Sequence, residues 1–328
     1  MTKDTVTASS PGNIFFFGEF AVIYNKPCII ASVDRKTTVT ANMRTDDKVI
    51  IESAAFGSAT AVLGNTLHTY ESKASELYPL LDFISDIVPK LKITQGLTMK
   101  ITSDIPVNSG MSSSTAVFCS ILKALTNLSG KNIDNRDYFD WIYPHQVKIH
   151  GGKASGSEIV SSSVGGFNIV KKKQDKITFN SLGTQNFSVV IADTKVSAPT
   201  ALTVGYHLPS MEARFPSKVR GIFKNIEKLT IDAKTAIQNN DLEEIGHLMN
   251  ENQTLLSKLG MSHPKLDDCI YTSLAAGALG AKLSGGGWGG IMVALCYPKD
   301  QDKIMNALKE TGADVIMSKI GVEGAKIE

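Results

Sequence analysis

The sequence predicts an α+β protein built from two closely packed halves. Short apolar or alternating segments bounded by Gly and Pro dominate the first third of the chain and are typical of strands and turns. Longer apolar segments with helical spacing dominate the second half. The boundary is expected near residue 185, which gives domains 1–185 and 186–328. No long linker lies there, so we expect the two halves to enclose a shared cleft.

The expected elements follow the chain in this order. In the first half, strands are predicted at 5–9, 14–17, 28–33, 37–43, 49–54 and 97–103, and helices at 75–88, 115–128 and 137–150. A Gly/Ser turn at 151–157, a short helix and a strand after Gly166 complete this half. In the second half, strands are predicted at 187–192, 291–296 and 314–319, and helices at 199–206, 216–239, 242–259, 264–277 and 300–311. Pro11-Gly12 is expected to separate the first two strands.

Composition narrows the classes of function. Of the 328 residues, 42% are hydrophobic and 20% are charged, as is typical of globular proteins. A net charge of +2 is too small to argue for a nucleic-acid partner, so none is expected, and the three lysines at 171–173 are interpreted as a strand end in solvent. The four cysteines lack metal-site spacing and fit a reducing, cytoplasmic location. No signal peptide is expected, and the longest apolar runs are too short to span a membrane.

Residues 106–116 (PVNSGMSSSTA) form the strongest candidate for a ligand site. Small residues let backbone amides approach an anion, and the helix that follows places its positive end on the same point. A capped helix with a flexible turn is the alternative interpretation. The chain has no GxxxxGK(S/T) segment, and no GxGxxG lies between a strand and a helix with an acidic residue downstream. A P-loop or a Rossmann cofactor site is therefore not expected.

Two further segments suggest a ligand contact or a buried charge. Residues 285–290 contain five glycines, which cost backbone entropy on folding, so backbone contact with a ligand is the preferred interpretation. Trp288 within this segment either covers a nucleotide or fills a hinge. Glu19 follows a very apolar run; it is either a buried carboxylate that needs partners or a strand-end residue in solvent.

These segments resemble the ordered motifs of the GHMP kinases, and among them the mevalonate kinases. Residues 11–22 (PGNIFFFGEFAV) are similar to PGKxxLxGEHAV, residues 106–116 to PxGxGLGSSAA, and residues 282–290 (KLSGGGWGG) to KLTGAGGGG. Residues 152–166 are similar to GxPSGxDxxVSxxGG, and residues 193–196 with Thr200 to (D/N)TKV…T. The resemblance runs from residue 8 to the end of the sequence.

The resemblance implies a ribosomal-protein-S5-like N-terminal domain and a ferredoxin-like C-terminal domain, with ATP and Mg²⁺ as cofactors. Glu158 is the implied base, Lys195 the implied stabiliser of transferring charge, and Ser114 the implied magnesium contact. The implied ATP contacts are Pro106, Asn108, Ser109, Gly110, Met111, Ser112, Ser113, Ser114, Gly286 and Gly287. The implied acceptor contacts are Glu19, Lys148, Lys153, Ser155 and Thr200.

Four departures from the family pattern concern the acceptor. Asn13 stands where the family has lysine, Phe20 where it has histidine, and Glu158 where it has aspartate. The helical glutamate that binds magnesium has no acidic counterpart, because that position is Val147 or Lys148. Glu158 keeps carboxylate chemistry but reaches one methylene further, which implies a shifted acceptor.

The charge of the acceptor is inferred from nearby lysines. Lys148 and Lys153 either bring positive charge to the acceptor or are solvated helix-end residues. We therefore expect a small anionic acceptor, mevalonate 3-phosphate, phosphorylated at its 5-hydroxyl in isoprenoid biosynthesis. Ordinary mevalonate is the alternative, followed by a superfamily decarboxylase and by an inactive ATP or metabolite sensor. A homodimer is a family-based expectation that no interface signal in the sequence supports.

Overall fold

The structure is a computed structural model that describes residues 4–63, 75–106, 109–149, 154–173, 176–196 and 202–328. Within this part of the chain, twelve strands join into one sheet. The strands are β1 (Thr5–Phe17), β2 (Cys28–Met43), β3 (Lys48–Ser53), β4 (Gly57–Val62), β5 (Leu97–Ser103), β6 (Phe167–Lys173), β7 (Lys176–Gly183), β8 (Phe187–Asp193), β9 (Gly280–Ser284), β10 (Ile291–Leu295), β11 (Asp314–Ile320) and β12 (Lys326–Ile327).

Helices pack against this sheet in both halves. They are α1 (Tyr78–Leu91), α2 (Ser113–Leu128), α3 (Tyr138–Ile149), α4 (Ser157–Val164), α5 (Leu208–Arg214), α6 (Pro216–Gln238), α7 (Leu242–Lys258), α8 (Pro264–Ala275) and α9 (Gln301–Glu310). A 3₁₀ turn covers Ala21–Tyr24, and a π-helical turn covers Thr203–His207. The predicted α+β class is therefore confirmed. The predicted helix at 199–206 begins outside the described residues.

The strand order is β4-β3-β5-β2-β11-β8-β10-β9. Outside this order, β1 and β6 also pair with β2, β12 pairs with β1, and β7 pairs with β6. The long strand β2 is the junction of the sheet. Its residues 37–43 pair with β5, its residues 28–31 pair with β6, and Val33 pairs with Ile320 of β11. Strands of the first half therefore continue directly into strands of the second half.

The sequence prediction divided β1 and β2 into two strands each, and this was wrong. Pro11 pairs with Lys36 and Asn13 with Ser32, so Gly12 lies opposite the three residues 33–35. Extra residues on one strand bend a β-ladder without ending it. The Pro-Gly pair therefore marks an irregularity inside a continuous strand.

The strands β4 and β7 were not predicted. The first is GSATAV, whose small residues have little strand preference. The second is KITFNSLG, in which Ile177, Thr178 and Phe179 favour a strand although half of the residues are exposed. The two strands pair with β3 and β6 respectively.

The hydrophobic core does not divide at residue 185. One cluster of buried side chains contains Ile14 and Val33 from the first half and Val189, Leu229 and Ile291 from the second. All four cysteines are buried and free of disulfides. Within the described ranges, no helix has the length and apolar character needed to cross a bilayer.

Candidate active site

The loop that precedes α2 lies between β1 and the start of β10. Met111 is buried in the core cluster that also holds Ile291. The main-chain N–H of Asn13 donates to the Met111 carbonyl oxygen at 3.1 Å. A β-carbon built on Gly110 would be 3.7 Å from Cγ1 of Ile291. The loop therefore contacts the first motif and the strand that follows the glycine segment 285–290.

Ser112 occupies the N-cap position of α2 but does not cap it. Its φ is 57°, and its hydroxyl donates to Oδ1 of Asn13 at 2.9 Å instead of accepting from the helix. The capped-helix interpretation therefore fails for this side chain. The buried hydroxyl of Ser109 has no hydrogen-bond partner among the described residues. An orphaned donor beside uncapped helix amides suits an anionic ligand. Ser113 is half-buried, and Ser114 is exposed in the same turn.

Asn13 connects this loop to α4. Its amide Nδ2 donates to Oγ of Ser162 at 2.9 Å and to the carbonyl oxygen of Glu158 at 3.3 Å, while its Oδ1 accepts from Ser112. The side chain is 1% exposed. The position that is lysine in the family pattern is thus filled by a neutral group that links two motif segments.

The first turn of α4 presents the Glu158 carboxylate. Gly156 is the N-cap residue with a φ of 75°, which favours glycine. The Ser155 hydroxyl donates to Oε2 of Glu158 at 2.8 Å, and Ser155 Oγ accepts from the Ser157 N–H at 3.2 Å. Glu158 is half-buried, so its carboxylate is oriented by Ser155 yet remains partly open to solvent.

Lys172 contacts this segment, which the sequence analysis did not anticipate. Its Nζ donates to the carbonyl oxygen of Ala154 at 2.5 Å. The interpretation of residues 171–173 as a solvated strand end holds for Lys171 and Lys173, which are exposed, and is wrong for Lys172. Strand alternation could have indicated that Lys172 is not solvated like its neighbours, because it lies on the same face as the buried Val170.

Glu19 is buried and paired, so the solvent-exposed alternative is wrong. Its Oε1 forms a salt bridge with Nζ of Lys282 on β9, and its Oε2 accepts from Nδ2 of Asn252 on α7 at 3.1 Å. Burial lowers the pKa of the Lys282 ammonium, and the Glu19 carboxylate opposes that shift. Both carboxylate oxygens are engaged with protein groups, so Glu19 connects the first motif to the third. Contact with an acceptor stays a prediction for this residue.

The glycines at 287 and 289 pack against protein backbone. A β-carbon on Gly289 would lie 2.3 Å from the Val196 carbonyl oxygen, and one on Gly287 would lie 2.3 Å from that of Met261. The expectation for this segment was contact with a ligand. At these two positions the glycine backbone instead lies close to Val196, after β8, and to Met261, after α7. Glycine is required there because a side chain would not fit between the segments.

Trp288 is held by the turn that follows α7. Its indole N–H donates to the Gly260 carbonyl oxygen at 2.7 Å, and its ring centroid is 4.9 Å from that of His207. Its backbone has a φ of 58°. These contacts favour the hinge-filling interpretation over a nucleotide cover.

The remaining predicted residues are placed as follows. The Lys195 ammonium is exposed and pairs with Asp314 at 2.8 Å. Lys148 and Pro106 are exposed, Val147 is half-buried, and Gly286 is half-buried. Asn108, Lys153 and Thr200 lie outside the described residues. In the described ranges, no group of three or more His, Cys, Asp or Glu side chains could hold a metal ion.

Comparison with known proteins identifies the family of this chain. The family model for the GHMP kinases N terminal domain matches residues 80–166, and the model for GHMP kinases C terminal matches residues 233–314. A mevalonate kinase from Pyrococcus furiosus is 30% identical over 98% of this chain and 98% of its own length. The chain belongs to the GHMP kinase family. It is an ATP-dependent kinase with an alcohol group as acceptor.

Solved structures confirm the predicted GHMP kinase fold. L. major mevalonate kinase in complex with R-mevalonate is 22% identical over 99% of this chain and 100% of that chain, with a TM-score of 0.83. Lactococcus lactis galactokinase complexed with galactose is 21% identical over 99% of this chain and 95% of that chain, with a TM-score of 0.78. Because kinases with such different ligands share the fold of this GHMP kinase, the fold alone does not select its acceptor.

Proposed function

We propose that the protein transfers the γ-phosphoryl group of ATP to the 5-hydroxyl of a mevalonate-type acceptor, with mevalonate 3-phosphate preferred. The network around Asn13 carries the proposal. This one side chain bonds Ser112, which precedes the uncapped start of α2, and Ser162 on the helix that presents Glu158. An anion-binding helix start and a carboxylate are thereby held in one hydrogen-bonded unit. Phosphoryl transfer depends mainly on such positioning and on electrostatics.

The proposed roles of the residues in phosphoryl transfer are as follows. The first-turn amides of α2 and the Ser109 hydroxyl bind the triphosphate. Glu158 orients the acceptor hydroxyl and takes its proton, and the 2.8 Å bond from Ser155 aims the carboxylate.

The described residues fit a magnesium ion that arrives with the nucleotide. Ser114 is exposed in the first turn of α2, where it could contact the ion. Mg²⁺ typically keeps several waters and uses few protein ligands beside substrate phosphates. The absence of an acidic cluster in the described ranges is compatible with that preference. The ion would supply charge neutralisation between the phosphates of ATP.

The class of acceptor is supported by the relatives. The Pyrococcus furiosus protein is named a mevalonate kinase, and it matches nearly the whole chain. The preference for a phosphorylated acceptor is supported by two lysines in the sequence, Lys148 near the end of α3 and Lys153 between α3 and α4. Ordinary mevalonate is the second candidate, because it is the acceptor that the names of the relatives favour.

A side-by-side assay tests the proposal. Purified protein with ATP and Mg²⁺ is given mevalonate or mevalonate 3-phosphate, ADP release is followed, and ³¹P NMR locates the new phosphate. We expect turnover with the 3-phosphate and a new signal from the 5-position. Turnover with mevalonate but not with mevalonate 3-phosphate would contradict the preference for the 3-phosphate. It would still support an acceptor of the mevalonate type. Release of CO₂ would indicate a decarboxylase, and silence with both acceptors would contradict the proposal.

A further inference from the structure

Lys172 turns inward while its two lysine neighbours face solvent. It lies in β6 two residues after Val170, which pairs with Cys28 of the central strand β2. Side chains alternate between the faces of a strand, so Lys172 shares the face of Val170. Lys171 and Lys173 are exposed, whereas Lys172 is half-buried. Three identical side chains therefore have two different environments.

The Lys172 ammonium binds the segment that leads into α4. Its Nζ donates to the Ala154 carbonyl oxygen at 2.5 Å and to the Tyr143 hydroxyl at 2.6 Å. The same ammonium lies 4.8 Å from the centroid of the Tyr143 ring. The Tyr143 hydroxyl in turn donates to the Ala154 carbonyl oxygen at 3.3 Å. One carbonyl group thus receives two donors, one of them charged, and charge-assisted bonds are the stronger kind.

An aromatic pair fixes the same segment from α3. The rings of Phe139 and Tyr143 stack with centroids 4.5 Å apart and an interplanar angle of 18°. A β-carbon on Gly156 would lie 2.4 Å from Cε2 of Phe139. The backbone at Gly156 therefore rests directly on the ring pair that Lys172 contacts.

The held segment leads directly to the proposed base. Ala154 precedes Ser155, whose hydroxyl donates to Oε2 of Glu158 at 2.8 Å. Ser155 Oγ also accepts from the Ser157 N–H at 3.2 Å. A shift of the Ala154 carbonyl would move the Ser155 hydroxyl and with it the orientation of the carboxylate.

We infer that Lys172, acting with Tyr143, is a positioning residue that sets the geometry of the Glu158 carboxylate. It acts through the Ala154 carbonyl, to which its ammonium donates. The inference rests on the proposed role of Glu158 as base. A misplacement of about 1 Å at a reacting group can cost about 100-fold in rate, so loss of this anchor acts on phosphoryl transfer.

Steady-state kinetics provide the first test. The acceptor is whichever of mevalonate 3-phosphate and mevalonate the native protein turns over. With it, Lys172→Met is expected to lower kcat about 10- to 100-fold and to leave the KM for ATP unchanged. Lys172→Arg, which keeps the charge, is expected to restore part of kcat. Lys171→Met is the matched control, because it removes an exposed neighbour from the same strand, and it should behave as the native protein. Native kcat in Lys172→Met, or an equal loss of ATP affinity, would overturn the inference.

Hydrogen exchange separates this inference from the proposed function. Without substrates, amides of residues 155–158 should exchange faster in Lys172→Met and in Tyr143→Phe than in the native protein, while the amides of α2 keep their rates. Lys171→Met should leave both regions unchanged. Unchanged exchange at 155–158 would refute the positioning role even if the kinase assay succeeds. If the native protein turns over neither acceptor while the variants show the expected faster exchange, only the proposed function would be refuted.

Discussion

Asn13 accepts a hydrogen bond from Ser112 and donates one to Ser162, so a single amide connects the loop before α2 to α4. A lysine at this position could donate to both serines but could not accept from the Ser112 hydroxyl. A lysine there would therefore not reproduce the observed network. Through Ser162, Asn13 is connected to α4, whose first turn carries Glu158.

Glu158→Gln removes the carboxylate while it keeps the shape of the side chain. We expect kcat to fall about 10²- to 10⁴-fold, the usual contribution of a general base. Nucleotide affinity should be unchanged, since the amides of α2 remain in place. Equilibrium binding of ATP and acceptor-dependent ADP release measure the two quantities. Glu310→Gln, at an exposed position in α9, is the matched control. Near-native kcat in Glu158→Gln would remove this residue from the mechanism.

Glu19→Gln tests the buried ion pair with Lys282. Both side chains are 1% exposed, so the variant leaves an ammonium group buried without its counter-charge. We expect the free energy of unfolding to fall by about 3–5 kcal/mol, measured by urea denaturation.

Two control variants accompany this measurement. Lys326→Met breaks an exposed pair with Glu323 and should cost less than about 1 kcal/mol. Glu19→Gln combined with Lys282→Met should recover part of the lost stability. A loss in Glu19→Gln no larger than that in Lys326→Met would mean that the pair is not structurally important.

At the scale of elements, the glycine segment 285–290 shows how backbone packing places a loop. Its N–H groups and carbonyls bond to residues beside β8 and α7, including the bonds from Trp288 N–H to Met261 at 2.9 Å and from Gly290 N–H to Val196 at 3.0 Å. Contacts within the protein therefore hold Trp288 and Gly290. Ile291 follows this segment directly, and a β-carbon on Gly110 in the loop before α2 would be 3.7 Å from its Cγ1.

Gly289→Ala is expected to destabilise the protein in the absence of ligands. Its φ is 140°, and the new β-carbon would lie 2.3 Å from the Val196 carbonyl oxygen. We expect a loss of more than about 1 kcal/mol, measured as the thermal midpoint of the ligand-free protein. Gly221→Ala in α6, where a β-carbon meets nothing within 4 Å, should instead stabilise slightly. An unchanged midpoint in Gly289→Ala would restore the ligand-contact interpretation of this glycine.

Strand β2 and one cluster of buried side chains connect the two halves of the molecule across the expected boundary at residue 185. Val33 pairs with Ile320, and Ile14 is packed in the same cluster as Leu229 and Val293. The Glu19–Lys282 pair adds a third connection between the halves. Neither half could unfold without exposing the apolar surface of the other.

Unfolding is therefore expected to occur in one transition, and the two tryptophans can report it. Trp141 lies on α3 in the first half, and Trp288 lies in the second. Trp141→Phe and Trp288→Phe each leave one fluorophore. In each variant, the fluorescence midpoint in urea should coincide with the midpoint from far-UV circular dichroism. Separate midpoints would show that the halves unfold independently.

Local patterns in the sequence were sufficient for much of the fold. Helices α2, α6 and α7 were predicted to within three residues at each end, because apolar periodicity is a local signal. The strand β5 was predicted at its observed bounds. The strand β4 was missed because its small residues have little strand preference, whereas β7 was missed although Ile177, Thr178 and Phe179 favour a strand.

The sequence by itself determined the fold class, the family and the segments that form the candidate site. These depend on residue type and order, which the motifs preserve. Only the tertiary structure decided that Glu19 is neutralised by Lys282, that Asn13 connects Ser112 to α4, and that Lys172 supports Ala154. Each of these contacts joins residues far apart in the chain. Hydrogen bonds and ion pairs depend on distance and burial in the folded molecule, which local sequence patterns do not encode.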